Sequence, residues 1–302
     1  GITAINMTTP YPGDDFPAAV FKISRLQQLI SENPQDLALV RTTADIDHCR
    51  TTGRMGVIIG FQSTEMFDAS LEGVDTFHGL GARIVQMSYN GAGILGHGCL
   101  SERQDGVTET GVRAIARFNA RGMLIDASHA NKATTAETIL HSISPVLISH
   151  TGCNEVYRHP RNNDDKELRA LADRGGVAGI YLMPFLEGGT GELTVDMLFR
   201  HLEHAIRVCG EDHVGIGSDQ GVKPVDDGPE YRERLRAEVE RRKAAGISAP
   251  GESADRPPFI PALNRPDRMS RIAVQMADRG FSPRVIDKVI GSNFYRVMKE
   301  VW

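Results

Sequence analysis

Cysteine is scarce in this 302-residue chain. There are four, Cys49, Cys99, Cys153 and Cys209, and none has Cys-x-x-Cys spacing. That excludes a disulfide scaffold or a zinc ribbon and reads as reduced thiols in a cytoplasmic protein. A basic excess is missing too. With 34 Lys+Arg against 39 Asp+Glu the formal net charge is −5, so nucleic acid and anionic membrane, which select basic patches, are not expected partners. No run approaches the roughly 18 apolar residues of a membrane-spanning helix, and no signal-peptide pattern is visible. There are no internal repeats and no low-complexity tracts. The chain opens on Gly1 rather than Met, so a targeting segment or a first strand can precede it.

What is present is a rhythm. Short β-rich runs recur at 2–7, 56–62, 82–89, 123–129, 145–150, 176–183 and 213–219, mostly followed by helical patterns. Near-continuous apolar strands alternating with helices specify a parallel sheet covered on both faces. Helices are expected over 16–30, 108–121 (N-capped by Thr108), 165–174 and 195–208 from apolar residues at three- and four-residue spacing. The fold expected is α/β, a (β/α)8 TIM barrel spanning 1–302 as one domain. Seven strands are counted where a barrel needs eight. The eighth is expected upstream of Gly1, in preference to "LALVRT" (37–42), which reads as an accessory segment. At about 220–268 the rhythm breaks into a charged helix (229–246) and a Pro-rich loop (248–267), with the helix read as a solvated surface, a lid or a subunit contact. Two helices, 268–279 and 282–301, close the chain.

In a parallel barrel the carboxyl ends of the strands carry the chemistry. Those ends here are Gln62, Tyr89, His129, His150 and Asp219. His129 and His150 end consecutive strands. Two imidazoles and a carboxylate suit a divalent ion with an open position for water. Asp126 precedes His129 in the same strand and is either an orienter of that histidine or a buried structural acid. His97, in "GHGCLSE", should lie near the mouth. The remaining histidines, among them His159, His201 and His204, read as structural or solvent-facing. In "SHTGCNEVYRHPRNNDDKEL" three residues, Arg158, Arg161 and Asn162, lie where a substrate carboxylate could be held bidentately. Pairing of an arginine with Asp164 or Asp165 is the alternative.

The segment "DASHAN…PVLISHTGCNEVYRHPRNNDDKELRALADRGGVAGI", with "GIGSDQG" and the late "IGSNFYRVM", resembles the renal or membrane dipeptidase family, from about residue 52 to the C-terminus. The resemblance implies a metal-dependent hydrolase barrel cleaving dipeptides, typically with two zinc ions, as a homodimer. It implies that His129 and His150 are ligands of one ion, that Arg161, with Asn162 beside it, holds the dipeptide carboxylate, and that Asp219 handles the proton of the scissile amide. The family's first strand, ending in a His-x-Asp pair that binds the other ion, has no counterpart in the chain. The bridging glutamate falls at Gln62, and the oxyanion-stabilising histidine at Tyr89. A neutral amide does not compensate the repulsion between two cations. The expectation is therefore one zinc ion rather than two, or none, with Gln62 as a neutral ligand, Tyr89 and Asp219 as catalytic groups, and a dipeptide or small carboxylate-bearing amide as substrate. Two metals require an upstream His-x-Asp strand. The alternative is a metal-free barrel enzyme or binding protein acting on a specialised metabolite by acid–base chemistry.

Overall fold

The computed structural model describes residues 2–189 and 191–302. The elements run β1 (Ala4–Thr8), α1 (Phe16–Glu32), β2 (Leu37–Val40), α2 (Thr43–Thr52), β3 (Met55–Phe61), α3 (Gly73–Gly79), β4 (Ala82–Gln86), α4 (Glu109–Ala120), β5 (Leu124–Asp126) and α5 (Lys132–His141). They continue with β6 (Leu147–Thr151), α6 (Asp165–Asp173), β7 (Val177–Ile180), α7 (Val195–Cys209), β8 (Val214–Ile216), α8 (Pro229–Ala244), α9 (Arg268–Asp278), α10 (Pro283–Asp287) and α11 (Asn293–Val301). The strand order is β1-β3-β4-β5-β6-β7-β8, with β2 off this path on β3. This is the expected α/β fold of (β/α)8-barrel type, and all seven expected runs are strands.

The eighth strand among the described residues is where the sequence reading placed only an accessory segment. Leu37–Val40 pairs in parallel with Met55–Ile58, and β4 takes over the same edge of β3 from Ile59 onward. Because Gly56–Gly60 also pairs with β1, β2 and β4 share one side of β3. "LALV" is thus a half-length strand that pairs along only part of the β3 edge, which is why its pattern reads ambiguously.

Contacts gather into two compact units. The N-terminal unit holds Ile2–Leu147, with Arg174–Gly176 and Phe294–Trp302. Its β3 buries every residue from Gly56 to Phe61, as a strand covered on both faces must. Phe61, Phe67, Phe77 and Phe118 form an aromatic cluster over it, with edge-on contacts of 5.1 Å (Phe61–Phe77) and 5.6 Å (Phe67–Phe77), a geometry favoured by the ring quadrupoles. Thr108 caps α4 as expected, its hydroxyl accepting from the Gly111 N–H at 2.9 Å. Gly111, Ala114, Ile115 and Phe118 form the helix's buried face.

The C-terminal unit holds Ile148–Asp173 and Val177–Asn293. Two glycines make its strands fit. A Cβ at Gly179 or Gly217 would lie 2.0 or 1.7 Å from the carbonyl oxygen of Ser149, a contact no side chain permits, so glycine alone lets β7 and the end of β8 approach the main chain beside His150. Asn293, from the "IGSNF" stretch, is buried and donates through Nδ2 to the carbonyls of Glu211 and Val214, both at 2.8 Å, fixing the entry to β8. Helix α8 buries Val239 alone, in keeping with a solvated, charged surface. The helix expected over 282–301 is interrupted at Lys288–Ser292.

Candidate active site

Three of the expected strand ends stop early. β4, β5 and β8 end at Gln86, Asp126 and Ile216, leaving Tyr89, His129 and Asp219 three residues beyond, in loops. At two of them the reason is local: His129 and Asp219 have φ of 66° and 54°, and among the described non-glycine residues only Leu71 joins them in this region. A left-handed residue cannot extend a strand. Such conformations cost on the order of 1 kcal/mol or more and concentrate at functional sites.

In the N-terminal unit the turn that presents His129 is built by its neighbours. The Asp126 carboxylate accepts from the Ser128 N–H at 2.9 Å and its hydroxyl at 2.8 Å. Asp126 thus serves as a turn former, and both readings of it converge on holding His129. Beyond it, Asn131 caps α5 through Thr134 N–H at 2.8 Å. The imidazole Nδ1 of His129 lies 2.6 Å from Asn90 Oδ1. An amide oxygen accepts, so Nδ1 carries the proton and Nε2 is the basic nitrogen, the arrangement that a metal-binding histidine needs. Tyr89 stacks on the ring, centroids 4.4 Å apart and 28° between planes. Gln62 is half-buried. Its main-chain carbonyl accepts from the fully buried Gln86 Nε2 at 2.7 Å, and that nitrogen also donates to Ser88 O at 2.8 Å. Neutral amides thus tie the ends of β3 and β4 together. Asn90 and Gln86 escaped the sequence reading; their only signal is that polar residues sit beside strand ends. His97 is 1% exposed, with Nε2 3.5 Å from the Asp105 carboxylate, and its main chain bonds to Thr134 Oγ1 (3.0 Å) and Asn131 N–H (2.9 Å). It stitches the 90–99 loop to the start of α5.

In the C-terminal unit His150 is buried within β6, its Nδ1 2.8 Å from the Ser149 hydroxyl. Asp126 and Leu147 pair in register. Asp219 is exposed. Arg158 faces solvent, whereas Arg161 is 5% exposed. Its guanidinium lies over Phe185 (5.6 Å) and Tyr181 (6.0 Å). It makes no ion pair among the described residues, and its Nε and Nη2 have no hydrogen-bond partner there. The acids that could have paired with it are engaged elsewhere: Asp164 with Asn154 Nδ2 at 2.6 Å, Asp165 with Arg169 and His204. Asn162 is saturated by the chain. Nδ2 donates to Tyr157 O (2.8 Å) and Phe185 O (3.0 Å), and Oδ1 accepts from the Tyr181 hydroxyl. It anchors the loop that carries Arg161.

His129 and His150 each have Nδ1 engaged by a neighbouring polar group, the donor chemistry that suits a divalent ion. A different group, Glu155, Asp165 and His204, brings three ionisable donors within 4.8 Å. It lies between α6 and α7, with Arg169 and Arg207 bonded into it, and reads as a surface ion-pair network. Cys153 and Cys209 are not poised as nucleophiles: burial pushes the Cys209 thiol up to about 12 and raises that of Cys153 as well.

His201 is fully buried, its Nδ1 accepting from Cys153 N–H at 2.9 Å and Nε2 donating to Leu186 O at 2.7 Å. Burial lowers its pKa to about 4. The unfolded chain binds this proton near the ordinary value of about 6.5. Stability from this group is thus complete above that pH and is lost as pH falls toward 4, by roughly 3 kcal/mol in all. Urea unfolding at pH 7 and pH 4.5 should show a smaller drop in His201→Asn than in the unaltered protein. An equal drop would remove His201 as its source.

Residues 4–249 match the family described as membrane dipeptidase, peptidase family M19. The chain belongs to the membrane dipeptidase family. Within and around this family, a solved amidohydrolase from Pseudomonas aeruginosa is 32% identical, superposes with a TM-score of 0.87, and matches 100% of this chain and 90% of its own. A Klebsiella pneumoniae protein named for its place in the pqqA 5′ region is 28% identical over 96% of this chain and 98% of its length. Dipeptidase verJ of Clonostachys rogersoniana is 28% identical over 94% of this chain, which spans 65% of that protein. Membership of this family accounts for the barrel. No helix is long and apolar enough to cross a membrane among the described residues.

Proposed function

We propose that the chain hydrolyses the amide bond of a dipeptide, or of a small amide bearing a free carboxylate, with one divalent ion, zinc by preference, at an atypical site. One observation carries this reading: Arg161, a buried cation without an ion pair among the described residues. Burying a lone charge costs several kcal/mol, and a carboxylate of the substrate is the partner that offsets it through bidentate, charge-assisted bonds.

His129 and His150 would hold the ion through nitrogens oriented by Asn90 and Ser149. Such an ion, when bound, supplies a water molecule acidified toward neutrality and polarises the scissile carbonyl. Gln62, a neutral side chain, offers an oxygen ligand or a hydrogen-bond donor without the charge that a second cation demands. Tyr89 is positioned by its stack on His129 to donate its hydroxyl to the developing oxyanion. Asp219 takes up and returns the proton of the amide nitrogen. The protein is expected to act as a homodimer on small-molecule substrates.

The test compares dipeptides with their C-terminal amides. Dipeptides are expected to be cleaved, and the amidated forms at least 100-fold less efficiently, since they lack the charge Arg161 requires. Equal cleavage of both, or of neither with zinc supplied, would refute the reading. Gln62→Glu tests the atypical site: bound metal or dipeptidase activity should rise. No rise in either would show that the missing bridge limits neither.

A further inference from the structure

The Pro-rich loop 248–267 is not a loose connection. It contains five prolines, which restrict its backbone. Phe259, Ile260 and Leu263 are buried anchors, and Tyr231 of α8 packs on Phe259 at 6.3 Å. Glu252 is clamped by Arg242 of α8 through two 2.8 Å bonds, with Ser248 Oγ adding a third at 3.0 Å. Gln220, next to Asp219, donates to Pro258 O at 2.6 Å. At the other end the carbonyl of Pro250 lies 2.8 Å from His159 Nε2.

His159 connects this loop to Arg161. Its Nδ1 accepts the Arg161 main-chain N–H at 3.1 Å, so the ring proton resides on Nε2 and is donated to Pro250. The bond from the Arg161 N–H requires an unprotonated Nδ1, and burial lowers the pKa of His159. The imidazole stacks on Phe185 at 4.7 Å, the same ring over which the Arg161 guanidinium lies.

We propose that the 248–267 loop is a strap that sets the position of Arg161, and that His159 is the positioning residue through which it acts. The path runs from Arg242 to Glu252, Pro250, His159 and Arg161, within one compact unit. The inference rests on the reading of Arg161 as the carboxylate anchor. A shift of the strap changes substrate affinity while leaving the chemistry of hydrolysis untouched.

Three variants test it: Glu252→Gln cuts the strap far from Arg161, His159→Phe removes both imidazole bonds but keeps the stack, and His159→Asn keeps an acceptor for the Arg161 N–H while losing Pro250. The readouts are dipeptide KM against kcat and hydrogen exchange of the Arg161 amide. Glu252→Gln and His159→Phe should raise KM about tenfold, with kcat within twofold, and speed Arg161 amide exchange at least tenfold. In His159→Asn the KM should stay raised, because the link to the loop is gone. Restoration of KM by His159→Asn, or Glu252→Gln leaving both KM and Arg161 exchange unchanged, would overturn the strap. Should the unaltered protein cleave no dipeptide, the proposed function falls, and exchange at Arg161 in Glu252→Gln alone decides this inference.

Discussion

Arg161→Met is expected to lower kcat/KM for dipeptides by about 10²–10³-fold, the effect of stripping a buried, bidentate partner from the substrate carboxylate. The loss should appear mainly in KM. Arg161→Lys should recover little, because a point charge does not reproduce the planar fork. The same change should stabilise the free protein. The guanidinium of Arg161 is 5% exposed and makes no ion pair among the described residues, so replacing it with an apolar side chain of similar length removes an uncompensated charge, a change of about 1 kcal/mol or more. Lower affinity with a higher melting temperature separates a binding role from a structural one. An unchanged kcat/KM would refute the assignment.

His129→Ala is expected to abolish metal binding and reduce turnover by about 10³-fold or more, since the water-activating ion goes with it. Asn90→Ala is a finer probe. Asn90 Oδ1 holds His129 Nδ1 at 2.6 Å, and removal of such an orienting partner commonly weakens metal binding 10–100-fold. The two substitutions are to be compared by zinc titration as well as by rate. Turnover unaffected by His129→Ala would favour metal-free acid–base chemistry.

The strands are legible because their apolar runs are nearly continuous, and His129 and His150 because each follows or closes such a run. What sequence did not disclose has physical causes. The strands read to Tyr89, His129 and Asp219 end three residues earlier; at His129 and Asp219 a left-handed φ leaves no mark in a periodicity of two. β2 was missed because four residues pairing half an edge resemble a connection. Asn90, Gln86 and His159 carry little signal of their roles, which lie in hydrogen bonds to residues 39, 24 and 91 positions away. Asn162 was read as a substrate contact beside Arg161, and every polar atom of its amide is engaged by Tyr157, Phe185 or Tyr181. Gln62 is legible as a departure from the family pattern, and the structure adds that it lies half-buried just beyond β3 with its main-chain carbonyl held by Gln86.

The central claim, one divalent ion on His129 and His150, is tested most directly by metal content. Protein purified without added metal should carry about one zinc or similar ion per chain by mass spectrometry, and that ion should be absent from His129→Ala. Only trace metal in the unaltered protein, with no dipeptide hydrolysis restored by added zinc, would contradict the account.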